Sequence, residues 1–212
     1  MKSNAIVFIL TLTVATFTFS GCKNSGKGNR SGSAESAISG EAKPPGDTRK
    51  AESSPELVDR LQQAALDGDL KGVEQALESG ADVNGMEAEG RTALMFAAFN
   101  GHSEIVLTLL DEGAGIDRRD QMGRTSLLYA ATGPFPETVK ILLDKGAEPN
   151  VVDSDEHFSP LMHAAAEGNM DVVKILLEAG SNPNLVDVDG DNAASFARQA
   201  GHLEVASYLE AL

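Results

Sequence analysis

Few side chains in this sequence have much chemical reach. There is one cysteine, Cys22, and there are four histidines: His102, His157, His163 and His202. A catalytic nucleophile needs a base within hydrogen-bond reach and a third group to orient that base. No such set can be named here, so the chain is expected not to be an enzyme. A single cysteine excludes an intrachain disulfide and a cysteine-cluster zinc site. His157 lies in a loop and reads as solvated rather than as a ligand. The run Asp187-Val-Asp-Gly-Asp-Asn192 places three acids around a glycine. It lacks the glutamate that closes a Ca²⁺-binding loop at the right distance. Glycine-rich phosphate loops are absent, and no metal or cofactor is expected.

Cys22 takes its meaning from the residues before it. Lys2 supplies a positive charge, and Ala5 to Phe19 is fifteen residues without one. That length suits the apolar core of a signal peptide and is short for a spanning helix, which needs about 20 residues. The stretch Phe19-Ser20-Gly21-Cys22 resembles the lipobox of bacterial lipoproteins, with Phe19 where leucine is usual. The resemblance implies cleavage before Cys22, a diacylglycerol on its sulfur and an acylated new amino terminus. An ordinary secretory signal and an uncleaved anchor are the alternatives. Acyl chains contribute about 0.8 kcal/mol per buried CH₂, and stable anchoring takes more than one chain. Lys23, in place of the aspartate that favours inner-membrane retention, implies delivery to the outer membrane, facing the periplasm.

Residues 1–21 are therefore read as a lipoprotein signal peptide, and residues 22–54 as the lipidated cysteine with a disordered linker. The linker is rich in Gly, Ser, Lys and Pro, with Ile38 its one large apolar residue. As a random coil it would span roughly 30 Å. It carries six Lys/Arg against four acids, whereas residues 55–212 carry ten against 28. The net charge of the chain, −15, lacks the basic footprint of a nucleic-acid binder. The acidic body would be held off an anionic membrane surface. It suggests a protein partner with a basic patch.

A repeat positions everything after residue 54. Ala64-Ala65, Ala97-Ala98, Ala130-Ala131 and Ala164-Ala165 recur at 33, 33 and 34 residues, and so do Gly80, Gly113, Gly146 and Gly180. Within one unit, Thr92 can cap a short helix whose Leu94, Ala97 and Ala98 share a face. Ile105, Val106, Leu109 and Leu110 form the stripe of a second helix. Gly113 fits the left-handed position that ends it. A helix pair of this kind leaves one face wet unless neighbours stack on it, which predicts a solenoid. About five units fit, with polar ends as caps: Gln62 and Gln63 in the first, Ser195 and Arg198 in the last. The third unit departs most, at Gly133-Pro-Phe-Pro-Glu137, where two prolines should stiffen the turn.

Thr92-Ala-Leu-Met-Phe-Ala-Ala98, Thr125-Ser-Leu-Leu-Tyr-Ala-Ala131 and Ser159-Pro-Leu-Met-His-Ala-Ala165 resemble the helix-opening motif of the ankyrin repeat family, Thr-Pro-Leu-His-x-Ala-Ala. The family's histidine is replaced by Met95, Leu128 and Met162. The resemblance covers residues 55–212 and implies an all-α ankyrin repeat solenoid of stacked helix-turn-helix units with short hairpin loops. It implies structural roles for His102 and His202, a packed His163, and an acidic hairpin tip at 187–192. It further implies non-catalytic protein binding through hairpin tips and the exposed part of the first helices. Carried onto this sequence, that face is Glu89, Arg91, Phe99 and Asn100, then Gln121, Met122 and Arg124, then His157, Phe158 and Glu167. Phe99, Arg124 and Phe158 are the expected anchors, with packing of Phe99 on a neighbouring repeat as the alternative. The expectation is a monomer that scaffolds, recruits or inhibits another envelope protein. A divalent-cation-dependent envelope or adhesion protein using the acidic loops is the second reading.

Overall fold

The computed structural model describes residues 54–212. The expectations for the signal peptide, Cys22 and the linker up to residue 53 lie outside the described residues. Ten helices follow in five pairs: α1 (Pro55–Asp67) with α2 (Leu70–Glu78), α3 (Ala93–Phe99) with α4 (Ser103–Asp111), and α5 (Ser126–Ala131) with α6 (Pro136–Asp144). The series continues with α7 (Pro160–Ala166) and α8 (Met170–Glu178), then α9 (Ala193–Ala200) and α10 (Leu203–Glu210). The first helix of each pair packs on the first helix of the next along the whole series, and second helices do the same from α2 to α8.

The local causes are the ones the repeat motif encodes. Thr92, Thr125, Ser159 and Asn192 each accept the backbone N–H three residues on, capping α3, α5, α7 and α9. Leu61, Leu94, Leu127 and Leu161 are fully buried and form one file through the stack. Burying such a leucine stabilises the fold by about 1.5–3 kcal/mol. The alanine pairs are buried beside them, and their small size lets helices approach closely. Gly113 has φ +89, and a Cβ there would touch nothing, so conformation rather than space calls for glycine.

Two local expectations need correction. Gln62 is not an exposed capping residue. It is buried, and its Nε2 donates to the carbonyls of Gly85 and Arg91 at 3.1 and 3.2 Å. It stands where Met95, Leu128 and Met162 stand in later units, and there it ties α1 to the first hairpin. In the third unit the prolines are only part of the change. Phe135 takes the place of His102, and its ring lies over Gly101 and Gly133. Among the described residues, β-pairing is confined to the bridge Met86–Thr92 at the base of the first hairpin.

Candidate protein-binding face

The hairpin tips stack into a ladder. Gln121 N–H donates to Glu89 O at 3.0 Å, Ser154 N–H to Met122 O at 2.8 Å, and Val188 N–H to Glu156 O at 3.1 Å. A second ladder runs beside it. Asn84 Nδ2 donates to Gly113 O at 3.1 Å, and its Oδ1 accepts from Gly115 N at 2.8 Å. Asn150 does the same with Gly180 O and Asn182 N. These bonds hold the tips as one surface rather than as independent loops.

The first two complete hairpins share a device that the sequence reading missed. In one, Arg91 Nε donates to Glu87 at 2.8 Å while its guanidinium lies 4.9 Å from the centre of the Phe96 ring. In the next, Arg124 Nε donates to Asp120 at 2.8 Å and lies 4.8 Å from the centre of Tyr129, whose hydroxyl donates to the same carboxylate at 2.7 Å. Partial burial pushes the Glu87 carboxyl up, but hydrogen bonds from Arg91 outweigh it and leave its pKa at about 2. Burial acts on Asp120 in the same way and is outweighed by the Tyr129 hydroxyl and by Arg124, so its pKa is lowered. Burial and the bond to Asp120 push the Tyr129 phenol up. The signal was present in the sequence. Acids at 87, 120, 153 and 187 and rings at 96, 129, 163 and 196 keep the same period as the alanine pairs.

The third hairpin breaks the device. Where arginine would stand there is Phe158, which is 8% exposed. It packs edge-on against His163 and Phe196, with ring centroids at 5.7 and 5.2 Å. Phe158 was expected to be an exposed anchor; it is core, because the fifth unit's Phe196 covers it. Asp153 Oδ1 accepts the N–H groups of Glu156 and Phe158, and burial raises its pKa. His163 is half-buried against Phe158. Loss of hydration, with the charge of Arg124 adding, lowers its pKa to about 4. Asp187 in the fourth hairpin likewise accepts from backbone, the N–H groups of Asp189 and Asp191.

The other expected face residues divide into those turned outward and those committed inside. Glu89, Gln121, Met122 and His157 are exposed at the tips, Met122 by 41%. Glu167 is half-buried at the end of α7. Arg91 and Arg124 are half-buried in their stacks. Asn100 gives its Nδ2 to Leu66 O at 2.8 Å, and Gln121 gives its Nε2 to Ala88 O at 2.6 Å. Phe99 is half-buried and meets Tyr129 edge-on at 6.1 Å, so packing on the next unit is part of its role. His157 has φ +61, at the place where the neighbouring tips have Gly123 and Gly190. His102 reaches Leu66 O at 3.2 Å, and the His202 ring lies over Gly168. Among the described residues no three or more His, Cys, Asp or Glu side chains are grouped to hold a metal ion.

Five stacked helix pairs with this hairpin ladder have a counterpart among known families. A family model described as ankyrin repeats, three copies, matches residues 61–153 and again 135–211. The chain belongs to the ankyrin repeat family. No curated protein matches it. Ankyrin repeats typically serve as protein–protein interaction modules, and the fold is in general a non-catalytic scaffold. In these ankyrin hairpins Glu89, Met122 and His157 are the expected face residues that stand exposed at the tips.

Proposed function

We propose that this chain is a non-catalytic protein-binding module, lipid-anchored through Cys22 in a bacterial envelope, outer membrane facing periplasm. It holds one envelope protein against its hairpin tips and first helices as scaffold, recruiter or inhibitor. The observation that carries the reading of the partner is the change along the hairpins. The earlier two pair the half-buried Glu87 and the buried Asp120 with Arg91 and Arg124. The later two, residues 153–158 and 187–192, contain no lysine or arginine. Asp155, Glu156 and Asp189 are exposed there, next to Val188, which is 52% exposed. A surface of that sign favours a partner with a basic patch, through encounter rate and register as much as affinity. The anchor rests on the apolar leader and Phe19-Ser-Gly-Cys22.

The test is crosslinked capture from a bacterial envelope with the intact, processed protein. Changing Glu156 and Asp189 together to Lys should release the captured protein while circular dichroism stays the same. Undiminished capture by the variant would overturn the assignment of the partner to these tips. Cys22→Ala should move the protein to the soluble fraction and abolish lipid labelling. Unchanged membrane association would remove the lipoprotein reading.

A further inference from the structure

Two asparagines that tie the first units together are each followed by glycine: Asn84-Gly85 and Asn100-Gly101. Asn84 clamps the end of the second unit through Gly113 and Gly115, and Asn100 bonds Leu66 O at the end of α1. Asn150 makes the same clamp as Asn84, but the branched Val151 follows it and crowds the next backbone nitrogen. Glycine has no Cβ and leaves that nitrogen open.

We propose that Asn84 and Asn100 are sites of spontaneous deamidation, gated by the docking of α1. The glycine nitrogen attacks the asparagine Cγ. A C–N bond forms, the bond from Cγ to the side-chain nitrogen breaks, and that nitrogen leaves as ammonia with the glycine's proton. Solvent water then opens the cyclic imide to aspartate or isoaspartate. The docked fold blocks this. Gly85 N–H donates to Asp82 O at 2.8 Å, and its carbonyl is held by Gln62 of α1 at 3.1 Å. Val58 of α1 lies so close that a Cβ on Gly85 would come within 2.6 Å of its methyls. Gly101 N–H donates to Ala98 O at 3.2 Å, while the Asn100 amide is held by α1 itself. At Asn100 it is thus the amide that α1 holds, and at Asn84 it is the following glycine, the amide being clamped by Gly113 and Gly115.

An encoded aspartate shows what the acid does at this position. Asp117 sits at the clamp position of the next unit. It accepts from Glu148 N at 3.2 Å and, being a carboxylate, has no donor for the Gly146 carbonyl. An aspartate at 84 loses the bond to Gly113 O in the same way. An aspartate at 100 sets a carboxylate against Leu66 O. Conversion at 100 weakens the docking of α1 that pins Gly85 beside Asn84, and each event adds a negative charge. The first unit therefore carries a chemical timer that runs only while it is undocked.

The test follows the full chain during incubation at mildly alkaline pH by peptide mass spectrometry. Trypsin separates the two sites, since Arg91 lies between them, and puts Asn150 on a third peptide. In the unaltered protein, amide-to-acid conversion should be slow and faster at Asn84 and Asn100 than at Asn150. Leu61→Ala, which loosens α1, should raise both rates by about tenfold or more. Gln62→Leu, which frees the Gly85 carbonyl without shrinking the core, should accelerate Asn84 and leave Asn100 alone. Equal rates in the parent and Leu61→Ala proteins, conversion at Asn150 as fast as at Asn84, or no conversion in Leu61→Ala would each overturn the proposal.

Discussion

Phe158 meets Phe196 edge-on, with ring centroids 5.2 Å apart and planes at 84°. One ring ends the third hairpin and the other sits on α9, so the contact joins the fourth and fifth units on the hairpin side. With Phe158 over His163 in place of the arginine-over-ring stack, the pair with Phe196 is an added contact that contributes about 0.5–1.5 kcal/mol beyond the area it buries.

Phe158→Ala is expected to destabilise the solenoid by about 3–5 kcal/mol, as for a buried aromatic truncated in a core. Chemical denaturation followed by circular dichroism measures this directly. An unchanged midpoint with weakened partner capture would instead restore Phe158 as a surface anchor.

Asp117→Asn should complete the asparagine ladder by supplying a donor to Gly146 O. The expected gain is about 0.5–1.5 kcal/mol, the net value of one intramolecular hydrogen bond. The reciprocal Asn150→Asp should lose a similar amount. Denaturation midpoints that move in the same direction for both variants would contradict the ladder.

His157→Gly should stabilise the fold by up to about 1–2 kcal/mol. A side chain with φ +61 bears the left-handed penalty that glycine avoids, and greater freedom of the unfolded glycine chain offsets part of the gain. Thermal melting of the single variant checks the sign.

His163 makes stability depend on pH. Its folded pKa is lowered from 6.5 to about 4. A depressed histidine binds fewer protons folded than unfolded, so its contribution is fully present above the unfolded pKa. It is lost progressively as pH falls from 6.5 towards 4, and the loss is complete below that. His163→Phe, which installs the ring found at 96 and 196, should flatten the stability–pH curve in this window. The loss at lower pH, from Glu87 as pH falls from about 4.5 towards its folded value of about 2, should remain. Identical curves for the two proteins would show that His163 is hydrated.

How far the fold was legible follows from what period encodes. Thr92 before Leu94, the alanine pairs and Gly113 each act within their own unit, through a cap, a close approach and a left-handed turn. Such local causes read directly from residue type and spacing. Exposure across units does not. Gln62 looked like a polar cap, yet it is buried because the hairpin ending at Arg91 folds over it and offers two carbonyls. Phe99 and Asn100 lie half-buried at the end of α3, where Tyr129 and Leu66, both in neighbouring units, take up part of each.

Repetition and local chemistry alone thus determined the number of units, the cap at Thr92 and the stop at Gly113, and the position of the hairpins. Tertiary structure alone decided which hairpin side chains face water. Burial at a tip is set by the residue that the next unit lays against it. Arg124, beside Tyr129 and Asp120, keeps its charge at the rim, while Phe158, beside His163 and Phe196, is drawn into the core. Both occupy the same place in the repeat, and only the stacked neighbour distinguishes them.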